Sequence, residues 1–268
     1  MKNIKQFWIL TIAALLLVSC GNESTKELEE DQATEDTNVA EPTSEVRTIN
    51  ITSLDGLEIT ANIYEINADA PVIVLCHQAR FNKFEYEGIA QKLNDHGFNC
   101  IAIDQRSGGP IANEVNQTNI AASEQGKPTD YLDAEQDIVA AVNYAAENYN
   151  GKIVLWGSSY SATLSLYIGI EQDQVDAIIA FSPGNYFKDD RGDLTQILPA
   201  TSKPMFLTSS KNEAPDITAL VANMERSNEQ VVFEPEGNGH HGSRALWEHQ
   251  DGGGEYWIAI ENFLEMIK

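Results

Sequence analysis

The sequence predicts an α/β fold: a three-layer α/β/α sandwich whose sheet is mostly parallel after an antiparallel start. Three observations carry this. From Pro71 onward, short apolar runs alternate with stretches of helical spacing, the order of a parallel sheet with helical crossovers. Before Pro71, two segments that alternate apolar and polar residues flank Asp55-Gly56, a hairpin signal. Between Lys152 and Ile170 an apolar run passes through a Gly-Ser turn straight into a helix of small and apolar residues.

The chain of 268 residues opens on an address rather than a fold. Lys2 and Lys5 precede an apolar run, Phe7 to Val18, too short to favour a spanning helix, and Leu17-Val18-Ser19-Cys20 follows. This segment resembles the lipobox of bacterial lipoproteins. The resemblance implies a signal peptide over 1–19, lipidation of Cys20, and a mature protein anchored to a membrane of the bacterial cell envelope. Residues 20–45 are acidic and polar, with no aromatic residue and few aliphatic ones, so they read as a disordered tether. The folded domain is expected over 46–268.

Within that domain, Val46 to Ile51 and Leu57 to Tyr64 are the hairpin strands. Pro71 to Cys76 is a continuous apolar run, as a strand buried on both faces requires. Phe84 to Leu93 has helical spacing and Gly97 ends it. Phe98 to Ile103 is the next strand and Tyr131 to Ala146 the next helix. Ile153 to Trp156 and Ala162 to Ile168 flank the Gly-Ser turn. Val175 to Phe181, Pro204 to Leu207 and Val231 to Phe233 complete the strands. Ile217 to Met224 and Trp257 to Ile267 complete the helices, with Gly252-Gly253-Gly254 read as a joint before the last. The stretch from Pro183 to Lys203 leaves room for little or no lid. The polar loop Gln105 to Asp130 is the better candidate for a substrate-facing wall.

Charge excludes one class of partner. A formal net charge of −24 repels a polyanion, so nucleic-acid binding is not expected. Cys76 and Cys100 lie near strand ends in apolar surroundings. Buried free thiols and a disulfide both remain open for them. Neither stands in a zinc-ligand pattern, and no metal or cofactor is expected.

The chemistry concentrates at three points. Gly157-Ser158-Ser159-Tyr160-Ser161 is a tight turn between strand and helix. It lifts the central hydroxyl, that of Ser159, clear of the sheet and needs small neighbours, here Gly157 and Ser161. A serine hydroxyl needs a base, and the base needs a carboxylate to orient it. The glycine-rich loop Gly237-Asn238-Gly239-His240-His241-Gly242 follows the last strand and offers two histidines. The segment Pro204 to Glu213 follows the strand before and offers Glu213, with Asp216 close by and Asp189 and Asp190 further back.

In strand order and motif order, about 220 residues resemble the α/β-hydrolases, in particular the small, nearly lidless dienelactone-hydrolase-like esterases. The resemblance implies Ser159 as nucleophile and His241 as base, because His241 precedes Gly242, with His240 the alternative. Glu213 is the implied acid, with Asp216 the rival. It also implies an oxyanion hole made by the N–H groups of Tyr160 and Gln78. The chain departs from the family at Ser161, where Gly is usual, at Ser210 for Gly, and at Glu213 for Asp. The implied reaction is hydrolysis of a small-molecule ester without a cofactor. An amidase of the same fold and a ligand-binding lipoprotein are the alternatives. His77 either lines the site or anchors its loop. Arg106 reads as a structural ion pair rather than a substrate carboxylate's partner. Glu85 is explained equally by a helix start and by approach to the oxyanion loop.

Overall fold

The computed structural model describes residues 46–268; the leader, Cys20 and the acidic tether lie outside the described residues. The hairpin forms as its alternation requires. Strands β1 (Arg47–Thr52) and β2 (Glu58–Tyr64) pair antiparallel, and Ser53 N–H closes the turn on Leu57 C=O at 2.7 Å. Strands β3 (Val72–Cys76), β4 (Asn99–Ile103), β5 (Ile153–Ser158), β6 (Ala177–Phe181), β7 (Met205–Thr208) and β8 (Gln230–Phe233) follow. They form one eight-stranded sheet in the order β1-β2-β4-β3-β5-β6-β7-β8. β2 runs antiparallel to β1 and β4, and all later pairings are parallel.

The helices are α1 (Glu87–Asp95), α2 (Gln117–Glu124), α3 (Glu135–Asn148), α4 (Tyr160–Glu171), the single turns α5 (Lys188–Arg191) and α6 (Leu194–Ile197), α7 (Ala214–Leu220) and α8 (Gly253–Ile267). They cover both faces of the sheet. On one face Ile138, Val142, Leu164, Ile168 and Ile217 of α3, α4 and α7 pack on Val72, Val74, Leu155 and Ile178. On the other, Ile89, Leu93, Ile260 and Phe263 of α1 and α8 pack on Ile73, Leu75, Trp156 and Ile179. Successive residues of β3 and β5 thus enter opposite cores, which is why these strands read as unbroken apolar runs.

Several sequence-based boundaries shift. The loop from Gln105 to Asp130 contains α2, whose sequence QTNIAASE has no apolar stripe to announce it. Gly253 and Gly254 form the first turn of α8 rather than a joint before it. The helix expected over 217–224 starts earlier, at Ala214, with Pro215 in its first turn, where the missing N–H costs nothing. Cys76 and Cys100 are free and buried. Cys76 belongs to the core on one side of the sheet and Cys100 to the other, so their thiols cannot meet.

Arg106 takes the structural role. Its side chain is fully buried and bonds Asp137 at 2.7 Å and Asp55 at 2.9 Å, tying the β1–β2 turn to α3. His77 is likewise an anchor. Its Nδ1–H donates to Gln78 C=O at 2.8 Å and its Nε2 accepts from Gln105 N–H at 3.0 Å. Burial holds its pKa down to about 4, so it is neutral.

Candidate active site

In an open parallel sheet the loops after the strand C-termini gather at one edge. Five such loops matter here: after β3 (His77 onward), β5 (Ser159), β6 (Ser182), β7 (Ser209 to Glu213) and β8 (to His241).

Ser159 sits between β5 and α4 at φ 60°, ψ −122°, a conformation that costs an L-residue about 1–3 kcal/mol. Its surroundings hold it there. Ser159 N–H donates to Phe181 C=O at 2.7 Å. Strand and helix approach so closely that a Cβ on Gly157 would lie 2.3 Å from Ser161 C=O oxygen and 2.5 Å from Ala162 Cα. Ser161 is accommodated because its hydroxyl has work in this gap. Its Oγ accepts from Ser158 N–H at 2.9 Å and donates to Cys76 C=O at 2.8 Å.

The structure brings Ser159, His241 and Glu213 into one chain of hydrogen bonds. Ser159 Oγ lies 2.8 Å from His241 Nε2, and His241 Nδ1 is bonded to Glu213 Oε1. Gly242 makes this loop possible. Its φ is +73°, and a Cβ there would lie 2.6 Å from Ser158 Oγ. Neither Asp216 nor Asp189 nor Asp190 is hydrogen-bonded to His241 among the described residues, and it is His241 rather than His240 that meets Ser159.

Glu213 ends a turn of 3-10 helix capped by Ser210. Its Oε2 accepts from Ser210 Oγ at 2.7 Å, Ser210 N–H at 3.2 Å and Ser182 Oγ at 2.9 Å. Partial burial opposes ionisation, but the bonds from His241, Ser210 and Ser182 outweigh it and hold the carboxyl down to about 2. The residue is therefore a carboxylate at neutral pH. Ser210 for Gly is thus a useful departure, since Gly would lack the hydroxyl that helps hold Glu213.

The expectation for Gln78 requires correction. Its N–H donates to the buried carboxylate of Glu85 at 2.7 Å, so that donor is already engaged. The next N–H in the loop, that of Ala79, faces no acceptor among the described residues. Tyr160 opens α4, and an N–H in a first helical turn has no intrahelical acceptor. The Tyr160 side chain is turned into the protein, bonded to Ser107 at 2.6 Å and Gln105 at 3.0 Å.

Sequence reasoning missed Ser182 and Ser158 and left Glu85 undecided. Small polar residues at strand ends look like ordinary turn residues. The one available signal was the position of Ser182 at the end of its strand, on the same edge as Ser159. Beside Ser182 and Glu213 opens a cavity of about 360 Å³ walled by Pro183, Tyr186, Thr195, Asp216 and Leu220. A larger cavity of about 710 Å³ lies between α1 and the start of α8, and the lining of neither cavity includes Ser159 or His241. Among the described residues no group of three or more His, Cys, Asp or Glu side chains is placed to hold a metal ion.

The chain is similar in structure to an esterase of Pyrococcus furiosus, with a TM-score of 0.63 and 17% identity over 83% of this chain and 93% of that one. A dienelactone hydrolase of Anabaena variabilis superposes at a TM-score of 0.62 with 13% identity, over 84% of this chain and 99% of that one. An acylaminoacyl peptidase of Pyrococcus horikoshii gives 0.59 and 15%, over 84% of this chain but 42% of that one. At these identities the likeness is one of fold. No curated protein sequence matches the chain. The family described as "Serine aminopeptidase, S33" matches residues 67–230, more than half of the chain. With the sheet order and helix placement above, this makes the chain a member of that family within the α/β-hydrolase superfamily.

Proposed function

We propose that the protein is a serine esterase acting on small or polar esters, held at the bacterial cell envelope by a lipid on Cys20. The observation that carries the catalytic part is the 2.8 Å contact between Ser159 Oγ and His241 Nε2, with Glu213 on the far nitrogen of the same ring. Ser159 Oγ attacks the acyl carbon as its proton passes to His241 Nε2. Glu213 keeps the ring in the tautomer that can accept it and balances the charge that forms. The tetrahedral oxyanion is stabilised by the N–H groups of Tyr160 and of the loop after β3, where Ala79 supplies the uncommitted donor. His241 then returns the proton to the leaving alcohol. A water gives a proton to the same nitrogen as its oxygen attacks the acyl carbon; the bond to Ser159 Oγ then breaks, Oγ takes that proton back from His241, and the acid is released.

The cavity beside Ser182 shares Glu213 with the site, and its size and wall support a small or polar substrate. Its volume of about 360 Å³ is at the small end for a ligand pocket, and Thr195 and Asp216 make part of its wall polar. The family description names an aminopeptidase, which favours amide hydrolysis as the second reading. The envelope location rests on the Leu17–Cys20 segment, and Cys20→Ser is expected to release the protein from the membrane fraction.

The deciding experiment labels the full-length protein in detergent with a fluorophosphonate, beside Ser159→Ala and His241→Ala. Labelling is expected in wild type, absent in the first variant and strongly slowed in the second. Labelling that persists in Ser159→Ala sinks the assignment. p-Nitrophenyl esters of two to twelve acyl carbons and aminoacyl p-nitroanilides then separate ester from amide chemistry. A rate that climbs steeply beyond about eight carbons, as burial at ~0.8 kcal/mol per CH₂ permits, argues against the small-ester reading.

A further inference from the structure

Glu85 is a buried carboxylate with no part in the proton relay. It is 1% exposed, and it is hydrogen-bonded to none of Ser159, His241 and Glu213. Its Oε2 accepts Gln78 N–H at 2.7 Å. Its Oε1 accepts the Ser158 hydroxyl at 2.8 Å and Gln78 Nε2 at 3.3 Å. The same Ser158 hydroxyl accepts Ser243 N–H at 2.8 Å.

These partners are not scattered. Gln78 lies in the loop after β3, one residue before Ala79. Ser158 immediately precedes Ser159. Ser243 is two residues past His241. The backbone around Glu85 is itself fastened. Its C=O accepts Trp247 Nε1–H at 2.7 Å, and the adjacent Tyr86 hydroxyl donates to Cys76 C=O at 2.8 Å and meets Ser243 Oγ at 3.1 Å. Burying a carboxylate is strongly unfavourable unless its oxygens are satisfied, and an apolar side chain would fill the space without that penalty. Here both oxygens are satisfied, Oε2 by Gln78 N–H and Oε1 by the Ser158 hydroxyl and Gln78 Nε2.

We propose that Glu85 is a positioning residue for this site, whose carboxylate fixes the loop after β3, the serine turn and the histidine loop relative to one another. The inference rests on the serine-hydrolase reading above. That reading needs two N–H donors, one from α4 and one from the β3 loop, held at a set spacing around the nascent oxyanion. Glu85 bonds the second loop directly and the serine turn through Ser158. Removing the carboxylate lets the loops drift, and a displacement of about 1 Å at a reacting centre can lower a rate about 100-fold. Substrate affinity in the ground state depends far less on that spacing.

Glu85→Gln keeps the size but turns one acceptor oxygen into a donor that faces Ser158 or Gln78. The variant is expected to lower kcat about 10- to 100-fold per active site, counted by titration with a fluorophosphonate, with KM within about threefold of wild type. Affinity for a trifluoromethyl ketone, which adds to the serine as an oxyanion, is expected to fall by the same factor as kcat/KM. A merely structural role would lower the melting temperature and the number of titratable sites and leave kcat per site alone, and that result overturns the proposal. Ser158→Ala removes the two links that pass through the Ser158 hydroxyl, to the serine turn and to Ser243 of the histidine loop, and leaves the bonds to Gln78 in place. It is expected to show the same split at about threefold or more, and it decides the matter if Glu85→Gln does not fold; an unchanged kcat per site in Ser158→Ala then overturns the proposal. Wild type that fails to react with the fluorophosphonate overturns the serine-hydrolase reading and this inference with it. Wild type that reacts, beside a Glu85→Gln variant of equal kcat, overturns this inference alone.

Discussion

The Ser182 hydroxyl donates to Glu213 Oε2 at 2.9 Å, from a residue whose own backbone is at φ 54°. Ser182 Oγ in turn accepts Gly242 N–H at 3.0 Å. One side chain after β6 thus braces the acid after β7 and the histidine loop after β8. A hydrogen bond to a charged group is worth about 1.5–3 kcal/mol. Ser182→Ala is therefore expected to reduce kcat/KM about tenfold or more without unfolding the protein. Ser210→Ala is expected to cost less, because Ser210 N–H still reaches Glu213. Steady-state kinetics with a circular dichroism control measures both; equal rates in Ser182→Ala and wild type would show that Glu213 needs no such brace.

Ser161 tests the fit of the serine turn. Restoring the family's usual glycine deletes the hydroxyl that accepts from Ser158 N–H and is one of two donors to Cys76 C=O, and adds backbone freedom. Ser161→Gly is expected to lose about 1–3 kcal/mol of stability in urea unfolding, and Ser161→Ala slightly less. A stabilised Ser161→Gly would mean that the hydroxymethyl group is strained in its gap.

Arg106 separates packing from substrate recognition. Its guanidinium is fully buried and bonded to Asp137 and Asp55. Breaking a buried pair from one side leaves uncompensated carboxylates, at a cost of about 3–5 kcal/mol. Arg106→Met is expected to lower the melting temperature sharply, while kcat and KM of the folded fraction stay near wild type. A raised KM for acidic esters with an unchanged melting temperature would reverse this assignment.

The sheet was legible because its strands are buried on both faces. Val72–Cys76, Asn99–Ile103 and Ala177–Phe181 have no solvent side to break the apolar run. The turn at Ser159 was legible because close approach of strand and helix restricts Gly157 and its neighbours to small residues. What escaped was whatever depends on side-chain hydrogen bonds across distant loops. Glu85 and Ser158 are 73 positions apart, Ser182 and Glu213 are 31 apart, and no local pattern encodes either pair. The same reason explains Gln78. The family resemblance implies its N–H as an oxyanion donor, and the fold brings the Glu85 carboxylate onto it. Helix α2 escaped for a different reason. It buries only Thr118 and Ala122 and therefore shows no apolar period.

Two carboxyls of the site shift in opposite directions, and stability should record both. Glu213 is held down to about 2 from an ordinary 4.5. The folded protein thus binds this proton less readily than the unfolded chain, so its stabilisation is complete above about pH 4.5 and is lost as pH falls through about 2. Glu85 goes the other way. Burial pushes it up to about 7 from 4.5, against the pull of Gln78 N–H, the Ser158 hydroxyl and the nearby His241 and Arg244. Tyr86 on its own element faces it as well. Between about pH 4.5 and 7 the folded state then holds a proton that the unfolded chain has released, so Glu85 makes stability decline as pH rises through that window and adds no further slope above it. Urea midpoints measured from pH 3 to 9 test this with Glu85→Gln and Glu213→Gln. Glu85→Gln is expected to flatten the decline toward neutral pH and leave the acid side unchanged. Glu213→Gln is expected to weaken the fold above about pH 4.5 and to soften its loss in acid. A Glu85→Gln profile parallel to wild type between pH 4.5 and 7 would mean that this carboxylate ionises as easily inside the protein as outside it.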